Sequence, residues 1–242
     1  MRSLLLILLA TLSLANSTNI TIPPFIPLPP NHPPKTNLQH NIVLNNCTVP
    51  GTIALTFDDG PYIYTSLILD HLANHSAHAT FFLNGRNRGH IDEFPDLVQR
   101  AHQEGHQLAS HTLTKDQMKR QMTALESAFI RILGFYPTYM RAPYLELSDD
   151  VLDVMDELGY RVVGASVDTK DYVYDDPDSS WRSFDRFLDG LDAGGTVVLA
   201  HDSHRSTAEI LVEDMLGEIE MRGLSAVTIG ECLGDAEWYR TE

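Results

Sequence analysis

The sequence predicts an α/β fold, and three observations carry that expectation. Short apolar runs alternate with helix-like stretches along most of the chain, the pattern of repeated βα units around a parallel sheet. Hydrophobic residues make up 43% of the 242 residues, enough for a sizeable core, and the length suits one large domain or two small ones. Ionisable residues then stand just after the expected strand ends: Asp58 and Asp59, His111, Arg141, Asp168 and His201. Loops at the C-terminal strand ends build the active sites of α/β barrels, and packing alone does not explain this many charged groups on one rim. The sheet is expected either as a barrel or as a doubly wound layer.

The elements follow in order. Ile53-Ala54-Leu55-Thr56-Phe57 runs into Asp-Asp-Gly-Pro and reads as a buried strand ending in a turn. A helix is expected over 63–74, a strand over 79–83, a helix over 92–104 closed by Gly105, and a strand over 107–110. Met118, Met122, Leu125, Phe129 and Ile132 recur in steps of four and three, which gives a helix with one apolar face, stopped by Gly134. Further strands are expected over 138–140, 161–167, 196–199 and 225–229, with helices over 149–158 and 207–222.

The N-terminus reads differently. Arg2 precedes the apolar run 4–10, and Ser13 and Ala15 supply a small-x-small cleavage pattern, so residues 1–15 are expected to be a signal peptide. That run is too short to span a bilayer, and no membrane span is expected elsewhere. Seven prolines crowd between Pro23 and Pro34, and residues 16–46 read as an extended linker. Residues 47–242 are then a single domain. Glycosylation sequons begin at Asn16, Asn19, Asn46 and Asn74. Cys47 and Cys232, the only two cysteines, flank the domain and are expected to bridge in an oxidising compartment. The formal charge of −16 repels phosphate backbones and argues against a nucleic-acid partner.

Adjacent carboxylates at a strand end allow one to bind a metal while the other acts as a base toward water. Here the residues become familiar. Thr56-Phe57-Asp58-Asp59-Gly60-Pro61 resembles the first motif of the NodB-type polysaccharide deacetylases, carbohydrate esterase family 4. Ser110-His111-Thr112, Arg141-Ala142-Pro143-Tyr144, Asp168-Thr169-Lys170-Asp171-Tyr172 and Leu199-Ala200-His201 resemble the second to fifth motifs, in the same order. The neighbourhood is most similar to fungal chitin deacetylases. The resemblance implies a distorted (β/α) barrel and hydrolysis of N-acetyl groups from chitin or other N-acetylglucosamine polymers. It implies a secreted, extracellular or cell-wall protein, expected as a monomer, with a divalent metal ion, zinc or cobalt, in an Asp-His-His site. Carried over by position, Asp59 and His111 bind the metal, and Asp58 is the general base and contacts substrate. Arg141 pairs with Asp58, His201 protonates the leaving amine, Asp168 orients His201, and Tyr144 offers its backbone N–H to the oxyanion.

One position departs from that pattern. The family places a second histidine four residues after the first, and this chain has Lys115 there, a cation that repels metal. Thr114-Lys115-Asp116-Gln117 reads as a helix cap, which leaves little room for a ligand-bearing loop. His204 and His106, and His102 on the preceding helix, are alternative ligands, and Tyr172 and Trp181 are candidates to stack on a sugar. The competing reading is a catalytically impaired, glycan-binding homologue. A retaining glycosidase ranks below it, because that needs a second carboxylate about 5 Å from Asp58 and gives Arg141 and His201 no role.

Overall fold

The strands at the middle of the sheet are buried on both faces, which identifies them as central parallel strands rather than as one-sided ones. In the computed structural model, which describes residues 42–112 and 117–241, these are Thr52–Asp58 (β2), Ala79–Asn84 (β3), Gln107–His111 (β4) and Val197–His201 (β9). Around them lie Val43–Leu44 (β1), Tyr139–Arg141 (β6), Arg161–Val163 (β7) and Val167–Asp168 (β8), in the order β1-β7-β6-β4-β3-β2-β9-β8, every pairing parallel. Ser225–Ala226 (β10) pairs with the start of β2, and Tyr136–Pro137 (β5) pairs separately with Tyr239–Arg240 (β11).

The connection between β7 and β8 shows why the sheet must curl. β7 lies beside one end of the order and β8 forms the other end, yet only residues 164–166 separate them. From Val163 to Val167 an extended chain spans at most about 14 Å. A flat sheet would put those edges much farther apart, so the strands wrap into the expected distorted barrel. It stays open between β1 and β8 among the described residues.

The helices cover the outer face. They are Thr65–Asn74 (α1), Pro95–Gln103 (α2), Met118–Leu133 (α3), Asp149–Leu158 (α4), Trp181–Asp192 (α5) and Val212–Met221 (α6). Leu55, Phe57, Phe81, Leu83 and Leu108 point outward to meet Ile68, Val98, Leu125, Phe129 and Met215 from those helices. The alternate residues Ala54, Phe82, Ala109, Tyr139 and Val197 point inward. They pack against Ile229, Cys232 and Leu233 of Ile229–Leu233 (α7). The Ile229 and Gly230 N–H groups donate to Thr80 Oγ1 and Gln107 Oε1, at the beginnings of β3 and β4. α7 thus plugs the N-terminal mouth of the barrel. The Cys47–Cys232 disulfide ties that plug to the segment before β2, as expected from the sequence.

Several expectations need correction. The segment 161–167 is not one strand, because Gly164 leaves β7 and lies where any side chain would strike Asn45 and Val43. The segment 225–229 is strand only at its start, since Thr228 caps α7 with its side chain. Residues 43–44, assigned to the linker, form β1 and extend the sheet past β7. Helix α5 went unread, although its single apolar face buries Phe187. The expected signal peptide, the Pro-rich run, Asn16, Asn19, Thr114 and Lys115 lie outside the described residues.

Candidate active site

Period-two alternation decides which side chains reach the interior. Asp58 shares its face with Ala54, His111 with Ala109, Arg141 with Tyr139, and His201 with Val197. All four therefore point inward at the C-terminal ends of their strands, at the mouth opposite α7. Strand register also sets Asp58 beside His201 and His111 beside Arg141.

Arg141 is fully buried and donates through Nη1 to Asp58 Oδ1 and to Thr56 Oγ1, at 2.7 Å each. Its Nη2 donates to the Gly164 carbonyl, and its guanidinium lies 4.2 Å above the Phe82 ring. A buried ion pair survives desolvation only when its remaining donors are satisfied, and these partners supply most of that. His111 donates Nδ1–H to the Arg141 carbonyl at 2.7 Å, which orients the ring and turns Nε2 toward the interior. That Nε2 stands 3.8 Å from both Asp58 Oδ2 and Asp59 Oδ1. Successive side chains of a regular strand would diverge. Asp59 instead takes the left-handed backbone region, φ 79°, so both carboxylates face one imidazole. The next residue has to be glycine, because a Cβ on Gly60 would run into the Asp202 carboxylate.

His201 is held by Asp171 and not by Asp168. Asp171 Oδ1 accepts the His201 Nδ1–H at 2.7 Å, and Oδ2 accepts the His201 backbone N–H at 2.6 Å and the Thr207 hydroxyl at 2.7 Å. Burial of the ring opposes protonation, but the charge and hydrogen bond of Asp171, with Asp58 and Asp59 nearby, push the His201 pKa up to about 9. Burial likewise opposes ionisation of Asp171, and His201 outweighs it, so that carboxyl lies below its ordinary value. Asp168, expected in this role, accepts instead from the Lys170 N–H and the Tyr172 hydroxyl. The reason is local: β8 ends at Asp168, and Lys170 at φ 53° turns the chain so that Asp171 meets β9.

Of the other expected residues, Tyr144 adopts φ 56° with its side chain 88% exposed, and Trp181 is 55% exposed with Arg182 over its ring. Tyr172 packs edge-to-face against His201. His106 accepts from the Ala79 N–H just before β4 begins, at the opposite mouth, which removes it as a ligand. His204 is bonded to Asp175. Asn46 and Asn74 are exposed. Asp202, unread in the sequence, is fully buried, accepts from Thr65 Oγ1, and is pushed by burial up to about 7. The charges of Asp59 and Asp58 push the same way, and the Thr65 bond and His201 offset only part of the rise.

Asp59 Oδ1 and His111 Nε2 suit a divalent ion by donor type, a carboxylate oxygen and an imidazole nitrogen whose ring is oriented through Nδ1. Among the described residues no group of three potential ligands converges. The position of Lys115 is not described.

The chain resembles known proteins over most of its described length. A family model described as polysaccharide deacetylase matches residues 45–163. A chitin deacetylase of Arthroderma benhamiae is 48% identical over 209 residues, covering 82% of this chain and 56% of that protein, so the chain spans little more than half of that relative. A chitin deacetylase of Pestalotiopsis sp is 46% identical over 209 residues, covering 82% of this chain and 70% of that protein. The solved structure of the chitin deacetylase from the fungal pathogen Colletotrichum lindemuthianum superposes with a TM-score of 0.80 at 37% identity, over 85% of this chain and 98% of that one.

Proposed function

We propose, on the premise that this chain belongs to the polysaccharide deacetylase family, that it hydrolyses the N-acetyl groups of chitin, giving acetate and free glucosamine amines. The observation that carries the reading is the pairing of Asp58 with Arg141 and of His201 with Asp171, with Asp58 and His201 side by side on adjacent strands and facing one interior. Amide hydrolysis needs a base for water and an acid for the departing amine, and a carboxylate paired with a guanidinium and an imidazole paired with a carboxylate can supply them.

Asp58 Oδ1 is occupied by Arg141, so Oδ2 is the oxygen that takes a proton from the attacking water. His201 is protonated near neutral pH and has Nδ1 engaged, so Nε2 delivers the proton to the amine nitrogen. Tyr144, held in the left-handed region, would aim its backbone N–H at the oxyanion. A divalent cation, zinc or cobalt, bound through Asp59 and His111 would supply Lewis-acid polarisation of the acetyl carbonyl and lower the pKa of water. The substrate is a polymer of N-acetylglucosamine met outside the cell or in its wall. The protein acts there as a secreted monomer, with glycans on Asn16, Asn19, Asn46 and Asn74. Asn46 and Asn74 sit by Cys47 and at the end of α1, away from the strand ends that carry Asp58 and His201.

Lys115 supports a second reading, a glycan-binding homologue with little turnover. Acetate release from acetylated chito-oligosaccharides separates the two. Activity that falls roughly a hundredfold or more in Asp58→Asn and in His201→Ala supports the hydrolase. Parental activity in either variant removes that residue's role, and binding without acetate release in the parent chain supports the homologue.

A further inference from the structure

His201 is not braced by Asp171 alone. The loop 169–180 and the turn 201–207 are joined by two carboxylate–imidazole pairs built alike. Asp171 gives one oxygen to the His201 ring and the other to a backbone N–H. Four residues on, Asp175 Oδ2 accepts the His204 Nδ1–H at 2.8 Å, and its Oδ1 accepts the Ser206 backbone N–H at 3.0 Å. The His204 ring is buried and meets the His201 ring edge-to-face, with centroids 5.6 Å apart and planes at 82°. Tyr172 meets the same His201 ring in a second edge-to-face contact, at 5.4 Å and 79°.

A hydrogen bond at Nδ1 fixes one point of an imidazole and leaves the ring free to swing about it. Contacts from two other rings remove that freedom, provided the contacting rings are themselves fixed. Tyr172 is tethered by its hydroxyl to Asp168, and His204 by Asp175. We propose that the His204–Asp175 pair is a positioning dyad that holds the His201 imidazole at the angle at which Nε2 delivers its proton. His204 acts through His201 and makes no contact with the reacting atoms. The inference rests on the reading of His201 as the proton donor.

Proton delivery tolerates little misalignment, and small displacements of a reacting group cost one to two powers of ten in rate. His204→Ala, which removes both the ring and its tether, is expected to lower kcat about tenfold or more with KM unchanged. Asp175→Asn, which keeps a neutral acceptor for His204, is expected to lower it less. The spectroscopic partner measurement is the downfield proton resonance of the His201 Nδ1–H bonded to Asp171. It should persist in the parent chain and in Asp175→Asn, and should exchange faster with water in His204→Ala. If His204→Ala does not fold, Asp175→Ala replaces it, since the Asp175 side chain is one-third exposed. Parental kcat and unchanged exchange in the alanine variant, with His201→Ala inactive, would overturn the dyad alone. Parental activity in His201→Ala would overturn the reading beneath it.

Discussion

His201 and Asp171 meet twice, through the imidazole Nδ1 at 2.7 Å and through the backbone N–H at 2.6 Å, so one carboxylate sets both the ring and the main chain of the residue it serves. The charge of that carboxylate stabilises the imidazolium. Asp171→Asn removes it and should move the His201 titration down from about 9 toward neutral, followed by NMR on the metal-free chain. Asp168→Asn should leave it in place. The sign for stability follows. A His pKa raised on folding stabilises the folded chain below the unfolded value of about 6.5, and this contribution is lost as pH rises through about 9. An unmoved titration in Asp171→Asn would refute the assignment.

Arg141 and Asp58 form a buried pair whose halves differ in replaceability. Arg141→Leu leaves the Asp58 carboxylate buried without its cation and should cost about 3–5 kcal/mol in urea unfolding. Adding Asp58→Asn to that variant should recover part of the loss, because the uncompensated charge is gone. Strict additivity of the two changes would mean that the pair is not coupled.

The Cys47–Cys232 bond spans 185 residues and ties the plug helix α7 to the segment before β2. By chain entropy a loop of this length contributes about 5 kcal/mol. Cys47→Ser with Cys232→Ser should therefore lower the unfolding midpoint strongly. Because α7 closes the mouth opposite the catalytic side chains, any activity of the remaining folded fraction should be little changed. A midpoint equal to that of the parent would show that the plug holds without the bond.

Asp59 and His111 offer two protein ligands where a third is expected. Equilibrium dialysis with zinc or cobalt should give weak binding by the parent chain and none by Asp59→Ala. Replacing residues around 113–116 with a longer loop that carries a histidine should raise affinity and acetate release together. Full stoichiometric binding by the parent chain would show that another residue completes the site.

Motifs made the site partly legible. Asp58, His111, Arg141 and His201 are readable because each ends a short buried strand, and alternation within a strand is a local property; Asp59 is readable only from its motif. The outer helices were readable where their apolar face was long, as over 118–132, and less so where acidic and basic residues crowd the rest of the surface, as in α5. Asp168 and Asp171 could not be told apart along the chain. Asp168 ends β8 and Asp171 lies three residues on, and the choice between them rests on the left-handed turn at Lys170.

The line between the two kinds of knowledge falls where range changes. Sequence alone carried the α/β class, the family, the cysteine pair and most of the strand ends, because hydrophobic period and motif spacing are set within a few residues. Tertiary structure alone decided that the sheet curls so that β2 meets β9, that α7 plugs its lower mouth, and that Asp171 and Asp175 reach His201 and His204. Those contacts join residues about thirty or more positions apart in the chain, and a carboxylate's choice of partner depends on where the backbone brings it to rest, which no local pattern encodes.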